Sequence, residues 1–214
     1  MEEKLRDIRS TRNPKARIKI MEGHFATSHS HINIYIDMST VKSRHNNARE
    51  TARELASRYV TNTPVDTIIC LDGTEVIAAY MAEYLADNSA LSINSGKNIS
   101  IITPEFSSIG QMIFRDNNQR MLHNMQVLLL VASATTGKTI DRAVECIEYY
   151  GGTVSGISAI FSAAKKSHGI EINTIFTNED LPVPYRAYSH NECPYCKQNM
   201  KVEAIVNSYG YSKL

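Results

Sequence analysis

The sequence predicts an α/β fold in which a parallel sheet is flanked by helices, with a small N-terminal hood and a cysteine-bearing C-terminal tail. Three observations predict it. Beyond Thr63-Pro64 the chain alternates short apolar runs with segments of helical spacing, the pattern of a sheet built from strand-helix-strand units. The apolar runs are continuous, as in Val127 to Val131, and strands covered on both faces require that. A chain of 214 residues with 43% hydrophobic content also suffices to bury one sizeable core. The expected division is residues 1–38 as an N-terminal helix and hood, 39–180 as the α/β core and 181–214 as the tail carrying Cys193-Pro-Tyr-Cys196.

Taken in order, residues 1–12 read as a short polar helix ended by Asn13-Pro14, because the residue before proline is pushed out of the helical region. In "HINIYIDM" the residues Ile32, Ile34 and Ile36 fall on one face at period two, predicting a half-buried strand paired with "RIKIMEGHF" as a hairpin-like hood. From Ser39 the spacing becomes helical, with Val41, Ala48, Ala52, Leu55, Ala56 and Tyr59 on one stripe and Ser39 or Thr40 as N-cap. "DTIICL", "NISIITP", "MQVLLLV", "VSGISAIF" and "INTIFT" are expected strands; "EVIAAYMAEYLA" and "TIDRAVECIEYYG" are expected helices, the latter ended by Gly151. The polar stretch from Pro104 to Gln126 shows little periodicity and is expected to be a functional loop.

Lys and Arg number 23 against 22 Asp and Glu, so a net charge of +1 offers no field that would gather nucleic acid or an anionic membrane. The longest strongly apolar run is too short to span a bilayer, and "MEEKLRDIRSTR" lacks the apolar centre of a signal peptide, so a cytoplasmic location is expected. Four cysteines in a chain this long do not make a disulfide framework.

The strand "MQVLLLV" delivers the chain into Ser133, Ala134, Thr135, Thr136, Gly137, Lys138 and Thr139. At the carboxyl end of such a strand, backbone amides and a helix N-terminus converge on an anion, glycine allows close approach and threonines add hydroxyl donors. These residues are the expected phosphate-binding turn. "ASATTGKT" nearly fits the nucleotide-triphosphatase pattern GxxxxGK[ST], but Ala132 stands at its first glycine, where a side chain obstructs the wrapping of backbone around a polyphosphate.

The stretch Leu128 to Thr139 resembles the ribose-phosphate signature of type I phosphoribosyltransferases: an apolar strand, two acidic residues, two spacers, then TTG. "GHFATSHSHINIYID" is similar to the hood of orotate phosphoribosyltransferases, "GQMIFR" to part of their mobile catalytic loop, "YYGGTVSGISAIF" to the following helix and strand, and "ECPYCKQNM" to the cysteine-bearing tail of some members. The resemblance implies a homodimer that binds phosphoribosyl pyrophosphate or a nucleotide with Mg²⁺ and displaces diphosphate with a nitrogenous base. It makes Arg115 the catalytic cation at the leaving group.

Departures from the family pattern are equally specific. Val131 and Ala132 stand where the family carries its acidic pair, and Ser133 can replace only one hydrogen bond, about 1 kcal/mol net. Where a small glycine-rich pyrophosphate turn is usual, the chain has Asp72, Gly73, Thr74 and Glu75. Carboxylates there would repel a diphosphate by several kcal/mol at an effective dielectric of about 20 unless a cation intervened. Two uses are open to Asp72 and Glu75: relocated magnesium ligands, or helix capping and dipole complementation. Ser162-Ala163 replaces the Asp-Arg pair that meets orotate, with Lys165 or Lys166 as substitutes nearby, and Gln111 stands where a lysine is common.

Cys193 and Cys196 have the spacing of half a zinc site; His190 is the candidate third ligand and a hood histidine or a partner subunit the source of the fourth. Ordinary reduced cysteines in a packed tail are the other reading. His24, His29 and His31 crowd one short segment, and His29 and His31 share a strand face that a metal or a phosphate could use; plain surface histidines are the other reading. For the whole chain three functions are open: a phosphoribosyltransferase, a catalytically inactive nucleotide-sensing homologue, and a structural subunit paired with an intact homologue.

Overall fold

A computed structural model describes residues 4–87, 90–135 and 137–214. The N-terminal strands are β1 (Arg6–Arg9), β2 (Arg17–Ala26) and β3 (His31–Asp37). Two short helices follow, α1 (Ser39–Ser43) and α2 (His45–Ala56), then β4 (Thr67–Cys70), α3 (Glu75–Ala86) and β5 (Ser100–Ile102). The middle of the chain holds β6 (Glu105–Phe106), β7 (Met112–Ile113), α4 (Asp116–Gln119), β8 (Gln126–Ala134), α5 (Lys138–Tyr149) and β9 (Thr153–Ser162). It ends with β10 (Lys166–Ser167), β11 (Ile170–Phe176), β12 (Ala187–Tyr188), α6 (Pro194–Lys197), β13 (Ala204–Asn207) and β14 (Gly210–Lys213).

The core sheet runs β10-β11-β9-β8-β4-β5, parallel throughout except for the β10-β11 hairpin. Both of its faces are covered, as the continuous apolar strands require. Leu128, Leu130 and Ala132 of β8 pack with α2 and α3 residues such as Leu55, Ile77 and Met81. Their neighbours Val127, Leu129 and Val131 point the other way, onto Ile140, Ala143, Val144 and Ile147 of α5. Strand alternation thus assigns the two residues at the family's acidic positions to opposite faces of the sheet.

The second sheet, β12-β3-β2-β13-β14 with β1 also on β2, corrects the expected hood in three ways. The helix expected over residues 1–12 is not formed: within its described part Lys4 alone is helical, in a 3-10 turn, and Arg6–Arg9 is a strand. Arg6–Arg9 pairs antiparallel with Arg17–Ile20, Ile8 opposite Ile18, because β2 otherwise has an open edge for a chain segment that shows no helical period. The tail is not a separate region: β12 pairs with β3, and β13 lies parallel to β2, so both ends of the chain complete one sheet. Nor is β3 half-buried, since residues 31–35 are buried throughout, between the core and a small cluster of Met21, Phe25, Tyr35, Ala204 and Val206.

The helix expected from Ser39 breaks at Arg44, whose extended backbone (ψ 118°) separates α1 from α2. Met38, not Ser39 or Thr40, occupies the N-cap; the Ser39 amide instead donates to Asp37 Oδ1 at 2.8 Å. The polar stretch 104–126 carries the β6-β7 hairpin and α4, and is anchored by the buried side chains of Phe114 and Leu122.

Candidate functional site

The carboxyl ends of β4 and β8, the N-terminus of α5, the hood and the tail enclose a cleft of about 710 Å³. At its core end, β8 leads through Ser133 and Thr135 to Gly137, which has φ 79° and caps α5. A Cβ there would lie 2.9 Å from Ser167 Oγ, so both the backbone conformation and the close approach call for glycine. Ser167 Oγ donates to Asp141 Oδ1 at 2.7 Å, which turns that carboxylate toward β10. Among the described residues, the amides of Lys138 and Thr139 meet no protein acceptor, as expected in the open first turn of a helix. Lys138, Thr139 and Arg142 line the cleft beside them. The arrangement presents amide donors, a hydroxyl and two cationic side chains to one region, and what it can bind is an anion.

Of the expected phosphate residues, Ser133, Thr135, Lys138 and Thr139 line the cleft, Gly137 shapes the turn and Ala134 is buried in the core. Thr136 lies outside the described residues. Ala132 forms part of the cleft floor, whereas Val131 belongs to the core under α5, so one position of the family's acidic pair still faces ligand space.

The β4-α3 turn separates its two acids. Asp72 and Gly73 both adopt left-handed backbone, at φ 60° and 76°. Asp72 lines the cleft beside Ala132 and Ser208. Burial raises its pKa from the ordinary carboxylate value, and the Lys42 charge opposes that shift. Glu75 instead accepts from Thr103 Oγ1 at 3.1 Å, at the end of β5. Thr74 is the N-cap of α3 and makes no side-chain cap; its hydroxyl donates to the Leu71 and Leu130 carbonyls. Asp72 therefore does not cap the helix.

Lys42, which the sequence reading passed over, is the cation beside this turn. Its Nζ donates to the carbonyls of Asp72 at 2.8 Å and Ser208 at 2.5 Å and lies 5.6 Å from the centre of the Tyr209 ring. Burial lowers the Lys42 pKa, while Asp72, Glu75 and Asp37 hold it up. A fixed ammonium thus stands next to the carboxylate. Arg142, also missed, was findable, since it follows Lys138 by four residues on one helix face.

The hood end of the cleft is lined by Thr27, His29, Ser30, Tyr35, Tyr185 and Tyr188 among others. Burial pushes the Tyr185 phenol pKa up to about 12, so it remains a neutral hydroxyl. Arg115 lies off the cleft lining: it grips Glu105 across the β6-β7 hairpin through both carboxylate oxygens, with nitrogen to oxygen distances of 2.7–3.1 Å. Lys165 and Lys166 also fall outside the lining.

A second cluster lies behind the hood. His24, His31, Cys193 and Cys196 bring potential metal-binding atoms within 4.8 Å of one another. His190, the expected third ligand, is not one of the four; its Nδ1 lies 2.9 Å from His31 Nε2, because two hood histidines take the inner positions.

No family model matches this chain. The orotate phosphoribosyltransferase of Desulforamulus reducens is 24% identical over 183 residues, covering 85% of this chain and 86% of the relative. Among solved structures, adenine phosphoribosyltransferase from Thermoanaerobacter pseudethanolicus superposes with TM-score 0.51 at 14% identity, over 82% of this chain and 96% of that one. Orotate phosphoribosyltransferase from Aeropyrum pernix gives TM-score 0.52 at 16% identity, over 74% and 87%. The open amides after β8, the hood across from them and these likenesses agree: the chain has the type I phosphoribosyltransferase fold and resembles orotate phosphoribosyltransferase in sequence.

Proposed function

We propose that this protein binds a 5-phosphoribosyl compound in the cleft and transfers its phosphoribosyl group to a nitrogenous base. The observation that carries the reading is the N-terminus of α5, where amides that meet no acceptor among the described residues, Thr139, Lys138 and Arg142 face a cleft that continues under the hood. A 5-phosphate on that turn would set the ribose over Ala132 and Ser133, with the base toward the tyrosines and hydroxyls of the hood. In the reaction the base nitrogen bonds to the anomeric carbon as the bond from that carbon to the diphosphate oxygen breaks. Arg115, on the hairpin, is the side chain we assign to the leaving diphosphate.

Magnesium needs one or two carboxylates together with phosphate oxygens. Asp72 fits that need, since it lines the cleft, whereas Glu75 is turned to Thr103. The ion, when bound, neutralises diphosphate charge. Lys42 contributes to the same balance without a metal, which offsets part of the loss of the family's acidic pair and its cation. The reading includes a homodimer in the cytoplasm; the exposed Phe106 and Ile109 on the β6-β7 hairpin offer apolar surface for a second copy.

Calorimetric titration with phosphoribosyl pyrophosphate and with nucleoside monophosphates, with and without Mg²⁺, tests this function, followed by a diphosphate-release assay with candidate bases. Binding of the diphosphate donor and base-dependent release are expected. Tight monophosphate binding without release would identify a nucleotide sensor instead, and no binding of either would overturn the site. Equal Mn²⁺ affinity in wild type and Asp72→Ala would remove Asp72 from the metal's ligands.

A further inference from the structure

The cluster behind the hood takes no part in the cleft chemistry, yet its four side chains converge on one point. His24 Nε2 lies 2.9 Å from His31 Nδ1, and 3.5 and 3.7 Å from the sulfurs of Cys193 and Cys196. Cys196 Sγ lies 3.2 Å from His31 Nδ1. A tetrahedral ion with metal-nitrogen bonds of about 2.0 Å and metal-sulfur bonds of about 2.3 Å sets ligand separations of roughly 3.3–3.8 Å, so a small expansion of the cluster admits one. His24, His31 and Cys193 are buried.

The surroundings orient these atoms inward. His24 Nδ1 lies 2.9 Å from the Met200 carbonyl, an acceptor, so its proton belongs there and the Nε2 lone pair faces the cluster. His31 Nε2 is held at 2.9 Å by His190 Nδ1; with the proton on His31 Nε2, its Nδ1 lone pair also faces inward. Outer partners of this kind commonly fix the tautomer of metal-bound histidines. Cys193 is the N-cap of α6 and Cys196 lies three residues later, which places both sulfurs on the same side of one tight turn. His24 sits within the bulge of β2 between Glu22 and Phe25, an irregularity that re-aims side chains.

We infer that His24, His31, Cys193 and Cys196 bind one Zn²⁺ ion in a closed, structural, tetrahedral site. Two thiolates and two imidazoles without a carboxylate suit zinc and disfavour magnesium or calcium. Four protein ligands leave no open position for water or substrate, so the ion's work is to hold chain segments together. It fastens the turn before and within α6 to β2 and β3, more than 160 residues away in sequence. Thr27 to Ser30 and Ala187 to Ser189, next to the ligands, line the cleft, so the ion fixes the position of the cleft wall.

Without metal the same atoms can form a proton chain from His190 through His31 and His24 to Met200, with both thiols protonated. Elemental analysis of the full chain, purified without chelator, separates the two cases. One zinc per chain is expected, and replacement by Co²⁺ should give tetrahedral d-d absorption together with a thiolate-to-cobalt charge-transfer band. Cys193→Ser and Cys196→Ser should each lose that band, Cys146→Ser should keep it, and His190→Ala should hold the ion about 10- to 100-fold more weakly. Reduced wild-type protein that holds no zinc and develops no charge-transfer band with Co²⁺ would overturn the site, as would an unchanged spectrum in Cys196→Ser. The wild-type cobalt spectrum decides even where a cysteine variant fails to fold.

Discussion

At its core end the cleft takes Ser133, Thr135, Lys138, Thr139 and Arg142 from one short stretch, beside Asp72, Ala132 and Phe161, whereas the hood end draws on residues 27–38, 185–189 and 206–208. The first end is a local product: an apolar strand stops, a glycine turns left-handed and a helix starts with its amides open. The second requires that two distant parts of the chain pair into one sheet, β12 on β3 and β13 on β2. Lys42 lies between them, bonded to a carbonyl of the core turn at Asp72 and to one of the tail at Ser208. The difference teaches that a strand-to-helix turn suited to an anion can be specified by neighbouring residues, while the hood wall of the cleft cannot.

Breaking the seam should have the largest effect. Lys42→Met removes a buried ammonium and leaves two carbonyls and the neighbouring carboxylate without their cation, which should cost about 3 kcal/mol in denaturant unfolding. Addition of Asp72→Asn should recover part of that loss; strict additivity of the two changes would show that the charges are uncoupled. A smaller effect confined to the core end is expected from Gly137→Val, which combines left-handed strain with the 2.9 Å approach to Ser167. Affinity for a nucleoside monophosphate should fall about 100-fold in calorimetry, near 2.7 kcal/mol. Unchanged affinity would detach the phosphate from this turn.

Arg142→Ala should weaken the same ligand about tenfold, and the loss should shrink as salt is raised, because the side chain acts as a charge at the cleft rim. The smallest effect tests a position belonging to neither end. Asp66, before β4, accepts from Lys97 Nζ at 2.7 Å and from the Gln126 amide at 3.0 Å. Burial alone would raise its pKa, but these partners outweigh it and hold the pKa below the usual carboxylate value. The unfolded chain then binds the proton more readily, so this stabilisation is present above the unfolded pKa and disappears as pH falls through the folded one. Asp66→Asn should cost about 1 kcal/mol at pH 7, less in acid, and leave ligand affinity intact.

The same local and non-local divide explains what was legible beforehand. "EVIAAYMAEYLA" was readable to the residue as α3, since its apolar positions and flanking turn lie within the segment itself. Residues 6–9 were misread as helix because their strand pairing depends on an edge supplied ten residues later. The sequence shows His24 crowded with His29 and His31, but which of the three meet the cysteines was not legible, for a β-bulge decides where His24 points. The reading of Asp72 as a cap failed for a related reason: Asp72 takes left-handed backbone and lines the cleft, and Thr74 takes the N-cap position of α3.

By itself the sequence determined the order of core strands and helices and the glycine turn from β8 into α5, because periodicity, a continuous apolar run and a glycine at a left-handed position act over a few residues. Only the tertiary structure decided that the tail closes the hood sheet, that Lys42 stands beside Asp72, and that His24 and His31 rather than His190 meet the two cysteines. Those outcomes depend on which strand edges meet and in what register. That choice is made when apolar faces and unpaired backbone groups from distant segments are buried together.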